Sequence, residues 1–244
     1  MCKIALFGTY LNSPKILLLS GIGPAEELKT NGIEDIHAYL DQNPIALLLT
    51  EPGYLGTISE LPALISKAHE HSIPVIVDAA WGGHFGFHPE LPKHVMQIGA
   101  DALITSVHKA LPGYSASALL LARTNLLSAD RLEQSFETTH TTSPAGAPLA
   151  SIDAVRALLQ TRGPELLGAL IANIAEFKAA VQANFDVPIF LNTSDFPAGR
   201  FDPAKVVLRA DQIGASGVEI EKALIENGIR VDMADRDTLV FLAT

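Results

Sequence analysis

Residues 74–89 read PVIVDAAWGGHFGFHP, and residues 102–115 read ALITSVHKALPGYS. Each opens as a short apolar run and leaves it through a polar or glycine-rich turn. PVIVD predicts a strand ending on the carboxylate of Asp78. ALITS predicts another ending on Ser106, with His108 and Lys109 just beyond it. Outward from this pair the pattern repeats. Ile45–Thr50 predicts an earlier strand that ends at Glu51-Pro52-Gly53, and Ala116–Ala122 a later one. Between them, Ser59–His71 reads as a helix with Ser59 as N-cap and Leu61, Leu64, Ile65 and Ala68 at helical spacing. Pro92–Gly99 reads as a short helix that Gly99 stops. Short apolar runs alternating with helical periods give an α/β fold class, and near-continuous Val/Ile/Leu runs suit a mostly parallel sheet with both faces covered.

Further along, Ser151 to about Ala183 is helical in period. Gly163-Pro164 interrupts it, which predicts two helices or one sharp bend. Asn184–Pro203, rich in Pro, Gly, Asp and Asn, is the candidate boundary, dividing the chain into 1–183 and 184–244. Beyond it Lys205–Arg209 reads as a strand, Gly217–Asn227 as a helix followed by Gly228, and Arg230–Met233 and Thr238–Ala243 as strands. This tail is a small α/β layer, and a chain stopping at Thr244, directly after a strand, reads as an unfinished domain.

Composition narrows the function. Of 244 residues 48% are hydrophobic and 18% charged, which excludes a disordered chain. A net charge of −10 without a basic run argues against a nucleic-acid partner. One cysteine, Cys2, excludes an internal disulfide framework and a thiolate zinc cage, and favours a reducing compartment. No uninterrupted apolar stretch reaches the ~18 residues of a membrane helix, and the apolar start is broken by Gly8, Asn12, Ser13 and Pro14. The expectation is a cytoplasmic protein without a membrane partner.

In open α/β sheets ligand sites gather at the carboxyl ends of strands. A lysine and an aspartate on two such ends can face one crevice. That suits pyridoxal 5'-phosphate, whose chemistry uses a lysine amine for a Schiff base and a carboxylate to keep the pyridine nitrogen protonated. Desolvation in such a pocket favours the nucleophilic free amine. Ser106 and His108 are then candidate donors to the cofactor phosphate. In isolation a strand-end lysine is usually solvated and a strand-end aspartate is as often a helix cap. His84 and His88 have i, i+4 spacing, but Gly82, Gly83, Gly86 and Pro89 argue against a metal-binding helix, so no metal is expected. His84 is read as a loop histidine near the substrate. Trp81 divides evenly between core and cofactor platform, and His140, Thr141 and Thr142 read as a polar loop.

DAAWGGHFGFHPELP followed by GADALITSVHKALPGYSASALLLA resembles the Orn/Lys/Arg decarboxylase family, pyridoxal-phosphate enzymes of aminotransferase fold type I. TEPGYLGT (50–57), ETTHTTSP…LASIDAVRALL (137–159) and FDPAKVVLRADQIGASGVEIEKALIENGIRVDMADRDTLVFLAT (201–244) resemble further family segments in order. The resemblance implies a partial large domain over 1–183 with a mostly parallel sheet, and the start of a small domain over 184–244. It implies Lys109 as the Schiff-base lysine, Asp78 as the pyridinium partner, Ser106 and His108 at the phosphate, and Ala80 and Trp81 bordering the ring. Ser143 would lie in a stretch approaching a neighbouring subunit's site.

The activity implied is decarboxylation of a basic amino acid (arginine, lysine or ornithine) leading to a polyamine precursor, in a homodimer or higher homo-oligomer. Two readings stand beside it: a truncated, non-catalytic member that pairs with a full-length relative, and an aminotransferase or lyase of the same fold. The family's Gly-Ser/Thr-rich phosphate loop would precede this start. The Tyr10–Lys15 segment does not reproduce the family's His-Lys-Ser pattern, a segment after Gly21 reads as shortened, and the family's carboxy-terminal domain is absent, so the chain is expected to be a fragmentary member.

Overall fold

Six strands pair in sequence order: β1 (Cys2–Phe7), β2 (Ile16–Gly21), β3 (Ala46–Thr50), β4 (Val75–Asp78), β5 (Ala102–Ser106) and β6 (Ala118–Ala122). The computed structural model describes residues 2–7, 16–21, 36, 40, 42–123, 125–140, 143 and 145–243. β2 to β5 run parallel, and β1 and β6 close the edges antiparallel. The mostly parallel sheet is as expected, while β1 and β2 arise from residues the periodicity left unassigned. The Tyr10–Lys15 segment and Thr141 and Thr142 lie outside the described residues.

Alternation along β3, β4 and β5 divides the sheet into two unlike faces. Leu47, Leu49, Val75, Val77 and Leu103 are buried on one face against α1 (Leu61–Glu70), through Leu61, Leu64, Ile65 and Ala68. Each such side chain contributes on the order of 2 kcal/mol by leaving water. On the other face Leu48, Thr50, Ile76, Asp78 and Ser106 are only half-buried and Ile104 is 43% exposed. The expectation of cover on both faces is therefore corrected for the described residues. β6 departs furthest, with only Leu119 half-buried against the Leu91–Val107–Leu111 cluster and the rest exposed at the edge.

The helix ends also differ from expectation. α1 begins at Leu61 with Glu60 at the cap position and no side-chain cap; Ser59 instead donates its backbone N–H to Glu51. α2 (Val95–Ile98) is shorter than expected, capped by the His94 side chain and stopped by Gly99 in the left-handed region. α3 (Ala129–Thr139), capped by Ser128, was not anticipated, because its few apolar residues bury nothing. α4 (Gly146–Gln182) continues as one helix of 37 residues through Pro164. Proline there removes one helical hydrogen bond, yet Val155, Leu159, Gly163 and Leu167 continue one buried stripe across it, and that packing outweighs the local break.

A second sheet has the order β7 (Val206–Arg209), β9 (Thr238–Phe241), β8 (Met233–Ala234), all antiparallel. The strand expected at Arg230–Met233 is reduced to the two-residue β8. α5 (Gly217–Glu226) packs on this sheet, opened by a Ser216–Glu219 capping box and followed by Gly228 with φ of 79°. α4 serves both cores. Its first half packs on Leu91, Val107 and Leu111, and Ile174 packs with Phe190, Leu208 and Leu239. Among the described residues no helix is long and apolar enough to cross a membrane.

Candidate active site

β4 and β5 end side by side. In the parallel register Thr50 lies opposite Asp78, and Asp78 opposite Ile104. Laterally paired residues point to the same side, and Ser106, two residues past Ile104, shares it. Thr50, Asp78 and Ser106 therefore line the half-open face at the carboxyl edge, where α/β sheets hold their ligands. Backbone bonds beyond the strands, Glu51 N–H to Asp78 O (2.9 Å) and Ala79 N–H to Ile104 O (2.7 Å), keep the strand ends locked together.

Asp78 spends one oxygen locally: Oδ1 accepts the Ala80 N–H at 3.1 Å, which turns the chain into the Trp81–His84 loop. Below this loop Thr105 Oγ1 donates to the Ala79 carbonyl at 2.9 Å. Lys109 sits on the loop after β5. The Gly113 N–H bonds to Val107 O at 2.8 Å, and a Cβ on Gly113 would lie 2.4 Å from that oxygen, so the loop closes only because Gly113 has no side chain. Lys109 Nζ lies 5.3 Å from the centre of the Trp81 ring, which brings the lysine beside the loop that follows Asp78. Trp81 is half-buried and meets Tyr54 edge-on at 5.5 Å.

The other candidates divide. The Ser106 side chain has no hydrogen bond among the described residues and remains available. His108 Nδ1 donates to Ser117 O at 2.8 Å, so only Nε2 is left for a ligand. His84 is 3% exposed, and its Nε2 meets the Asp202 carboxylate, itself 1% exposed, at 3.1 Å. Ser143, between α3 and α4, is exposed, and no hydrogen bond among the described residues ties it to the others. His88 packs against Gly168 of α4, apart from the pairing of His84 with Asp202. Among the described residues no cluster of His, Cys, Asp and Glu has the geometry to hold a metal ion.

Sequence reasoning missed four residues around Trp81. Tyr54 donates to Asp232 Oδ2 at 2.5 Å, and burial with that bond pushes its hydroxyl up to about 12. Lys205 Nζ lies 3.9 Å over the Trp81 ring, and Asp202 anchors His84 from the same loop. The signal was present in TEPGYLGT and FDPAKV, but no period or spacing tells which polar residue of a loop turns inward. A narrow crevice of about 20 Å³ runs between Trp81, His84, Ala110, Asp202 and Lys205.

These residues suit pyridoxal phosphate in kind. Among the described residues Asp78 keeps one carboxylate oxygen and Ser106 its hydroxyl unbonded on the half-open strand edge, and the Lys109 amine lies beside the Trp81 ring in the loop that follows Asp78.

A mostly parallel sheet with this edge is the α/β architecture of aminotransferase fold type I. Solved structures share that fold. The constitutive lysine decarboxylase of E. coli superposes with a TM-score of 0.66 at 22% identity, covering 92% of this chain and 37% of that one. The lysine decarboxylase of Francisella novicida gives 0.68 at 19%, covering 87% and 36%. The family described as "Orn/Lys/Arg decarboxylase, major domain" matches residues 15–197, and the chain belongs to that family. Curated relatives include an arginine decarboxylase of Bacillus subtilis (strain 168), 32% identical over 87% of this chain and 44% of its own length. Another, from Halalkalibacterium halodurans, is 33% identical over 83% and 42%. The chain thus spans less than half the length of these relatives.

Proposed function

We propose that this chain carries the lysine side of a pyridoxal-phosphate-dependent decarboxylase of a basic amino acid, with arginine the first substrate to try because curated relatives bear that name. The observation that carries the reading is the Lys109 amine lying 5.3 Å from the Trp81 ring, in the loop that Asp78 turns at the adjacent strand end. Lys109 is the amine that captures the cofactor aldehyde, and Asp78 holds the pyridine nitrogen through the oxygen that Ala80 leaves unused. Ser106, with His108 through Nε2, donates to the phosphate. Ala80 and Trp81 wall the ring, and Trp81 shields the amine from water. When bound, the cofactor supplies an electron sink for the bond to the departing carboxylate. His84 acts from behind Trp81, joined to Asp202, and Ser143 faces a neighbouring subunit in a homodimer.

Residues 1–183 and 184–244 serve as partial large and small domains, and the polyamine-forming setting and cytoplasmic location belong to the same proposal. The test is to incubate the chain with pyridoxal phosphate, reduce with borohydride and map the modified lysine, then to follow carbon dioxide release from arginine, lysine and ornithine. A pyridoxyl group on Lys109 that Lys109→Ala abolishes, with release from one of the three, is expected. No label on Lys109 overturns cofactor capture by this chain. A label without release from any of the three favours the non-catalytic reading or a different reaction of the same fold.

A further inference from the structure

Trp81 carries two lysines, and the stronger contact is made by the one from the small sheet's side. Lys205 Nζ lies 3.9 Å from the ring centre, and Lys109 Nζ lies 5.3 Å away. Lys205 also lies 5.2 Å over Tyr54, whose ring meets Trp81 edge-on, so its ammonium sits between two aromatic walls. It is 6% exposed, and no hydrogen bond reaches its Nζ among the described residues. A buried cation without a bonded acceptor is held by ring faces and the surrounding charge.

The setting is built for this side chain. The Lys205 N–H donates to Asp202 O at 3.0 Å, which closes the turn that launches the stem. Gly56, at φ +89°, leaves the stem its channel; a Cβ there would come within 2.8 Å of Lys205 Cγ. Asp202 is fixed in turn by His84, from the same loop as Trp81.

We infer that Lys205 is a positioning residue for the reacting lysine: its ammonium, seated on Trp81 and Tyr54, sets the indole plane against which the Lys109 amine lies. This rests on the reading of Lys109 as the aldehyde-capturing amine. It ties the small sheet to the chemistry through one cation, because Lys205 immediately precedes β7.

Trp81 is the only tryptophan of the chain, so emission excited where tyrosine does not absorb reports on this ring alone. Burial is the largest influence on Lys205 and lowers its pKa; Asp202 and Asp232 oppose that, and Lys109 adds to it. The ring should therefore lose its cation at a pH below the ordinary lysine range, with a step in emission. Lys205→Met, which keeps the stem and removes the charge, loses the step. Lys205→Arg keeps a cation throughout and holds the emission at its low-pH level. Lys109→Met retains the step. Capture of pyridoxal phosphate at Lys109, read by borohydride reduction and mass spectrometry, slows about tenfold in Lys205→Met and returns to within about twofold in Lys205→Arg.

An emission step that survives Lys205→Met overturns the inference, as does capture at the unmutated rate in that variant. Absence of any label on Lys109 in the unmutated chain is a separate result: it defeats the cofactor reading, while the emission step still decides whether Lys205 sets the ring.

Discussion

Two carboxylates stand at neighbouring strand ends and face opposite ways. Glu51 follows Thr50 at the end of β3, and Asp78 ends β4 directly opposite Thr50. One residue of offset puts Glu51 on the covered face with Leu47 and Leu49, and Asp78 on the half-open face. Glu51 is 1% exposed; its two oxygens accept the Ser59 N–H at 3.1 and 3.0 Å, and burial pushes its carboxyl up to about 7 against the pull of Ser59 and Arg200. Asp78 accepts one bond from Ala80, and its other oxygen has no bond among the described residues. The same chemical group is thus a buried structural strut on one face and, on the other, a half-buried carboxylate proposed above to bind the cofactor, and the alternation of the strand decides which face each takes.

The largest effect belongs to the covered face itself. Leu49→Ala removes a fully buried side chain packed among Leu47, Val77 and Leu64. It should cost about 4 kcal/mol of unfolding free energy in urea, the transfer loss plus the cavity left behind. A loss under about 1 kcal/mol would mean that this face is not the core.

Glu51 comes next, and its signature is a pH dependence. An acid whose pKa is raised by folding keeps its proton in the native chain after the unfolded chain has released it. Stability should therefore fall as pH rises from about 4.5 to about 7, by about 3 kcal/mol from this group alone. Glu51→Gln cannot ionise and should flatten that part of the curve. Urea midpoints measured at several pH values for both chains decide it, and an unchanged slope in Glu51→Gln would assign the dependence elsewhere.

Asp78 inverts the pattern. Asp78→Asn should leave unfolding within about 1 kcal/mol, since the residue is only half-buried, but weaken pyridoxal phosphate binding about 30-fold, the worth of a hydrogen bond to a charged partner. Glu51→Gln should bind within about twofold of the unmutated chain. Absorbance titration of both variants reads the contrast. Equal weakening by the two substitutions would erase the distinction between the faces.

How much of this was legible follows from the same physics. Asp78, Ser106 and Lys109 could be found because a short apolar run names its own end, and strand ends are where α/β sheets bind ligands. Ala80 and Trp81 were singled out only through the family resemblance of the segment that follows Asp78. Lys205 and Tyr54 could not be singled out, because their burial is created by a loop packing across the molecule rather than by any local period. Of the two outcomes expected at Gly163-Pro164, a split into two helices does not occur, for a related reason: a stripe of buried residues on both sides of Pro164 holds one helix together. α3 escaped notice because a helix that buries no side chain leaves little period to read. Local signals located the strand ends that carry the candidate groups, and tertiary packing chose their neighbours.

The smallest expected effect closes the comparison from the open side. Ile104 pairs laterally with Asp78 and projects on the same face, 43% exposed despite its size. Ile104→Ala removes a side chain that has little packing to lose, so it should cost under about 1 kcal/mol, a fraction of the Leu49→Ala loss for similar chemistry. Part of that small loss is β-branched isoleucine's preference for the strand, a few tenths of a kcal/mol on a scale that spans about 1 kcal/mol. Urea unfolding of Ile104→Ala beside Leu49→Ala measures the asymmetry directly. Equal losses would show that the face carrying Asp78 is as tightly packed as the other, leaving no room at the strand edge for the ring that Lys109 and Asp78 are proposed to hold.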